Sequence, residues 1–114
     1  MKGMSKMAEP KRKAYVSLEG QLDIYSHSTL ENALPNPAEV ESVVIDLLRV
    51  SYLDSLAVGR LLAFRRDFLK AGGIPEDLVV VLPKSGGVRR IFEITGLTRM
   101  FAVDEPSDLA FRSP

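Results

Sequence analysis

Apolar and polar positions begin to alternate at Ala14. Tyr15, Ser17 and Glu19 fall on one side, Val16 and Leu18 on the other, and Gly20 closes the run. This is the period-two pattern of a strand with one face in water. After "GQLD" the spacing changes: Leu30, Ala33 and Leu34 form a short helical stripe that Ser26 or Ser28 is placed to cap. The stripe must end at Pro35-Asn36-Pro37, because proline lacks the ladder donor and disfavours the helical region before it. Residues 42–50, "SVVIDLLRV", are almost continuously apolar and β-branched at the start, which predicts a strand covered on both faces in the middle of a sheet. Over residues 55–71 Val58, Leu61, Leu62, Arg65, Phe68 and Leu69 recur at three-and-four spacing, predicting a helix stopped by Gly72-Gly73.

The rest of the chain repeats this alternation of periods. "DLVVVLP" reads as another buried strand, and "SGGVRRIFEITGL" as a helix with Val88, Ile91, Phe92 and Thr95 on one side and Gly96 at its end. "MFAVDEP" predicts a last short strand, followed by a helical turn over "SDLAF" that starts at Ser107. Strand and helix in strict succession define an α/β protein whose core strands are parallel and joined by right-handed crossovers. A hairpin around Gly20 would add an antiparallel edge and make the sheet mixed. Residues 1–13, with Lys2, Lys6, Lys11, Arg12 and Lys13 against Glu9 and no periodic apolar pattern, are expected to form a flexible basic tail; residues 14–114 are expected to form a single domain.

Composition narrows the chemistry. At 114 residues, 46% of them hydrophobic, the chain is of a size for one domain with one core. Fifteen basic and fifteen acidic side chains cancel, so no global field favours nucleic acid or an anionic membrane. Without cysteine there is no disulfide, thiolate metal site or cysteine nucleophile. No apolar run reaches the ~20 residues of a membrane span, and the basic N-terminus lacks the apolar core of a signal peptide, so a cytoplasmic location is expected.

Catalytic readings fail on inventory. His27 is the single histidine and no nucleophile is paired with it in the sequence. Asp46 and Asp54 stand apart across a strand end, which supports neither a metal nor a glycosidase pair. Gly72-Gly73 and Gly86-Gly87 match no phosphate-binding loop. No catalytic residue, metal site or cofactor is therefore assigned. Asp23, Asp54-Ser55 and Ser85-Gly86-Gly87 all fall where a strand ends and a helix begins, the positions where α/β sheets gather function. In "YLDSLAVGRLL", Asp54 or Ser55 is suited to cap the helix, and Ala57 and Gly59 are small enough to let it lie close on the sheet.

The same residues carry a family resemblance. "VVIDLLRVSYLDSLAVGRLL" resembles the segment of STAS domains, the anti-sigma factor antagonist family, in which a buried strand with an Asp runs into a [FY]-[ML]-D-S-[ST]-G-L-G-like turn and helix. "EGQLD", with Asp23, is similar to that family's G-x-[LI]-D. "PKSGGVRRIFEITGL" is similar to its P-x-S-x-x-V-x-R-[IL]-[FL]-x-x-[ST]-G-L, with Val88, Arg90, Phe92, Thr95, Gly96 and Leu97 in step. The matches span residues 14–110.

The resemblance implies a STAS-type α/β fold, a four- to five-stranded mixed sheet packed with about four helices, and no catalytic activity. It also implies a partner, an anti-sigma factor that is often a serine kinase, whose capture frees a sigma factor for transcription. In such proteins the residue after Asp-Ser accepts a phosphate that weakens docking. Asp54 matches the family's Asp, Ser55 its first Ser, Leu56 the acceptor, Ala57 and Val58 its Gly-Leu, and Gly59 the second Gly. Asp23, Asp54, Ser55, Leu56, Ala57 and Gly59 are thus the expected partner-binding residues. Leucine at the acceptor position leaves Ser55 as the one candidate for phosphate. Leu56 itself either stays at the surface as an interface anchor or turns inward to fill the core. Two other readings remain: a STAS subunit of a sensory signalling complex or a lipid or anion transport system, and a small-ligand or nucleotide binder.

Overall fold

The computed structural model describes residues 11–106. In chain order the elements are β1 (Arg12–Leu22), α1 (His27–Ala33), β2 (Val40–Leu53), α2 (Ser55–Lys70), β3 (Leu78–Val81), α3 (Gly87–Thr95) and β4 (Ala102–Asp104). Single turns of 3-10 helix precede α1, β2 and β3 and follow α3. β1 starts two residues earlier than Ala14, because Arg12 and Lys13 already lie beside Val40 and Ser42. The turn expected at residues 107–111 lies outside the described residues.

The strands are ordered β1-β2-β3-β4 and all three pairings are parallel. The antiparallel edge expected from a hairpin at Gly20 is not formed among the described residues. β1 continues through Gly20 and stays in register with β2 to Leu22↔Leu53. Gly20 has φ +80° at a register shift instead, a conformation that an L side chain adopts only under strain. Three α-helices are present among the described residues, against the expected four.

β1 has 11 residues and β2 has 14 over the same paired length. The difference of three is taken up by three register shifts, at Arg12/Lys13, Ser17/Glu19 and Gly20/Gln21, each placing one extra residue on β2. The buried positions of β2 therefore run Val43, Ile45, Leu47 at period two, then Val50 and Leu53 at intervals of three. These side chains meet Val16, Leu18 and Leu22 of β1 and Leu78, Val80 and Leu82 in one core cluster with residues from all three helices. On the opposite face β3 buries Val79 and Val81 as well, which accounts for its unbroken apolar run.

α2 is the main helix of that core. Its buried residues are Ala57, Leu61, Phe64 and Phe68, so the stripe is turned slightly from the expected one: Phe64 replaces Arg65, and Val58, Leu62 and Leu69 flank it partly buried. The Phe64 and Phe68 rings stack with centroids 6.4 Å apart. α3 ends as anticipated, with Gly96 left-handed at φ +80° and Leu97 buried beyond it.

Candidate functional site

Because Leu22 and Leu53 are register partners, the chain leaves β1 and β2 at the same level of the sheet, and Asp23 and Asp54 come next on each strand. The Asp54 amide donates to the Leu22 carbonyl oxygen at 3.1 Å, tying the two exits together. Asp54 has an extended backbone and its Oδ1 accepts from the Ala57 amide at 2.9 Å, so Asp54 and not Ser55 caps α2. Asp23 does the same for the 3-10 turn at Ile24–Ser26: its Oδ1 accepts from the amides of Tyr25 at 2.9 Å and Ser26 at 3.2 Å. Ser26 Oγ in return accepts from the Asp23 amide at 2.9 Å and donates to the Gln21 carbonyl oxygen at 2.6 Å, a reciprocal capping box. The serine cap expected for α1 is absent: Ser26 occupies the position but makes no side-chain bond to that helix.

Both carboxylates are therefore structural caps. The large exposed side chains on these two turns are apolar or aromatic. Leu56, the second residue of α2, is 43% exposed, so it does not turn into the core. Ile24 and Tyr25, on the turn that Asp23 caps, are 66% and 93% exposed. Sequence reasoning missed this pair; its signal is two large apolar residues directly after a capping Asp, outside any helical or strand period. Ser55 and Gly59 are exposed and Ala57 is buried against the sheet. A Cβ built on Gly59 would meet nothing within 4 Å, so only Ala57 serves the close approach of helix to sheet, and Gly59 lies on the open side.

A charged brace holds the two segments behind this surface. Glu31 of α1 lies 2.7 Å from Arg60 Nε of α2 and 3.3 Å from His27 Nε2. The third junction is not part of it. β3 stops at Val81, level with Asp46 and well short of Leu53 along β2. Ser85 and Gly86 line a separate small cavity of about 150 Å³ with Lys84, Arg89, Arg90 and Glu93. Arg89 is engaged there with Glu93 at 3.2 Å, Glu105 at 3.4 Å and the Pro83 carbonyl oxygen at 3.0 Å.

Asp46 sits on the sheet face away from the helices. Its Oδ1 accepts from the Leu48 amide at 2.9 Å, and its Oδ2 accepts from the Tyr15 hydroxyl. That hydrogen bond, with burial and the charge of Asp46, pushes the Tyr15 phenol up to about 12, against a smaller lowering by Arg49. No group of three or more His, Cys, Asp or Glu able to hold a metal is found among the described residues. No helix among them is long and apolar enough to cross a membrane.

The fold is a parallel α/β sheet with a capped helix N-terminus beside a second capped turn. The chain belongs to the STAS domain family, whose sequence model matches residues 6–110. It is 30% identical over 96 residues to the anti-sigma-B factor antagonist of Staphylococcus aureus (strain NCTC 8325 / PS 47), covering 82% of this chain and 85% of that protein. Against the anti-sigma-B factor antagonist of Staphylococcus epidermidis the identity is 32% over 96 residues, with the same coverage. Its fold is similar to that of the anti-sigma factor antagonist SpoIIAA in its unphosphorylated form, with a TM-score of 0.67 at 22% identity over 90% of this chain and 89% of that one.

Proposed function

We propose that this protein is a non-enzymatic binding module that acts as an anti-sigma factor antagonist in the bacterial cytoplasm. It docks an anti-sigma factor of the serine-kinase type through the paired turns at Asp23–Tyr25 and Asp54–Gly59. The names of its staphylococcal relatives support the partner class. The observation that carries the reading is the exposure of Leu56 in the first turn of α2, together with that of Ile24 and Tyr25 on the turn that follows β1. Exposed apolar surface rimmed by polar groups is a common mark of an interaction site, and tyrosine is enriched among interface hot spots.

Leu56 stands at the position where the family carries its phosphate, and a leucine has no hydroxyl to modify. A phosphate there would add about −2 charge next to the Asp23 and Asp54 carboxylates and oppose an acidic partner. The module is accordingly a constitutive binder that permanently presents the unmodified surface. Ser55, exposed and not used as the cap, is the nearest hydroxyl by which a kinase could restore the switch.

Affinity capture from native cytosol, read by mass spectrometry and repeated with Leu56→Asp, tests this. An ATPase-like kinase or anti-sigma factor retained by the wild type and lost with Leu56→Asp is the expected result. Recovery of transporter or signalling-complex subunits in its place would keep the surface and replace the partner. Capture that is indifferent to Leu56 would overturn the site.

A further inference from the structure

We propose that β1 is the seam of a symmetric homodimer, in which two copies join edge to edge and extend the sheet across a two-fold axis. Among the described residues β1 has a neighbour, β2, on one side only. Its other edge runs the full length Arg12–Leu22 without a proline. All three extra residues of the β1–β2 ladder sit on β2, so β1 keeps its period of two over Lys13–Glu19, ahead of the left-handed Gly20. Natural edge strands are commonly blunted by proline or short length, and β1 has neither.

The sequence of β1 is complementary to itself in one register. Two copies centred on Val16 and running antiparallel place Val16 opposite Val16, Ala14 opposite Leu18, Tyr15 opposite Ser17, and Lys13 opposite Glu19 twice by symmetry. Residues at even positions meet even positions, so the buried side of one sheet continues into the buried side of the other. A shift of one residue in the centre, to Tyr15 or Ser17, keeps neither Lys13–Glu19 pair and leaves charge pairing to Lys11, which lies before β1 and whose Nζ already donates to the Ala71 carbonyl oxygen at 3.2 Å. Those two side chains are exposed, and neither makes an ion pair among the described residues; Glu19 makes none even though Arg49 is its register neighbour on β2. Opposite charges directly across an antiparallel pair are favourable, and like charges there are not. A lysine on an edge strand repels an arbitrary strand but accepts one that offers a glutamate at this position.

The competing occupant is the segment 1–10 of the same chain. Its sequence, "MKGMSKMAEP", has no β-branched or aromatic residue and includes Gly3 and Pro10, a poor strand composition. A second copy of β1, with Val16, Tyr15 and Leu18, is the better match.

Sedimentation velocity of the full chain across micromolar concentrations tests the seam. A concentration-dependent dimer is expected, weakened about tenfold or more by Lys13→Glu or Glu19→Lys, since each puts two like-charged pairs in the ladder. The double exchange Lys13→Glu with Glu19→Lys should restore it. An equimolar mixture of the two single variants should form a heterodimer, because each then offers the other its opposite charge. Circular dichroism of each variant confirms folding. A monomer at every concentration overturns the proposal. So does a dimer indifferent to both reversals, or one that appears only when residues 1–10 are removed.

Discussion

The backbone amide of Asp54 donates to the carbonyl oxygen of Leu22 at 3.1 Å, so the last residue of one strand holds the capping residue of the next strand's helix. This bond makes one surface from two segments that are separated in sequence by a helix and a strand. It also explains why the carboxylates there are occupied: each turn needs its own N-cap to leave the strand end at that point.

Replacing Asp54 with Ala should therefore cost about 0.5–2 kcal/mol, as should Asp23→Ala, through lost capping. Asp54→Asn should cost much less, because the amide oxygen still accepts from the Ala57 amide. Charge reversal to Lys at either position is expected to lower stability as well as binding, so a binding loss there has to be read beside a chemical denaturation curve. Curves for both Ala variants that superimpose on the wild type would show that the caps contribute nothing.

At Leu56 and Gly59 stability and binding should separate. Leu56→Ser should change stability by no more than about 1 kcal/mol, since the side chain is already half in water, yet weaken partner binding in calorimetry. Gly59→Ala should stabilise by roughly 0.5–1 kcal/mol, because a mid-helix glycine is replaced where the new methyl touches nothing. If a partner approaches this side closely, that same methyl reduces its affinity.

Leu61→Ala should cost ~2–5 kcal/mol, because Leu61 is fully buried between α2 and the sheet with Phe64 and Phe68 around it. In a domain of this size the loss is a large part of total stability. A melting temperature lowered by only a degree or two would mean that the helix collapses onto the vacated volume.

Tyr15 should show a delayed titration that depends on Asp46. The fold holds the phenol in its neutral form, hydrogen-bonded to the carboxylate, so its contribution to stability is fully present below pH 10 and is lost as the pH rises through about 12. Ultraviolet titration should reveal a late-ionising tyrosine in the wild type and none in Asp46→Asn. The same curve for both proteins would place the cause elsewhere.

The local periods of this sequence determined most of its architecture. Alternation in β1, the apolar run in β3, the stripe around Leu61 and Phe68, and Gly96 after α3 each follow from which face of an element is denied water. The order of the motifs around Asp23, Asp54 and Gly96 was enough to mark the family. What the tertiary structure decided depends on relations between segments. The three bulges on β2 shift its buried set from period two to period three, and only the length mismatch with β1 imposes them. Gly20 reads alone as a hairpin turn, but pairing of β1 with a longer strand carries the chain straight through it and sets it at a register shift opposite a bulge on β2. Leu56 could face in or out by composition; the cap at Asp54 sets the rotation of α2, which turns Ala57 and Leu61 to the core and leaves Leu56 in water. Ile24 and Tyr25 became part of the same surface only because parallel register brings Leu22 level with Leu53, a distance in space that no spacing along the chain records.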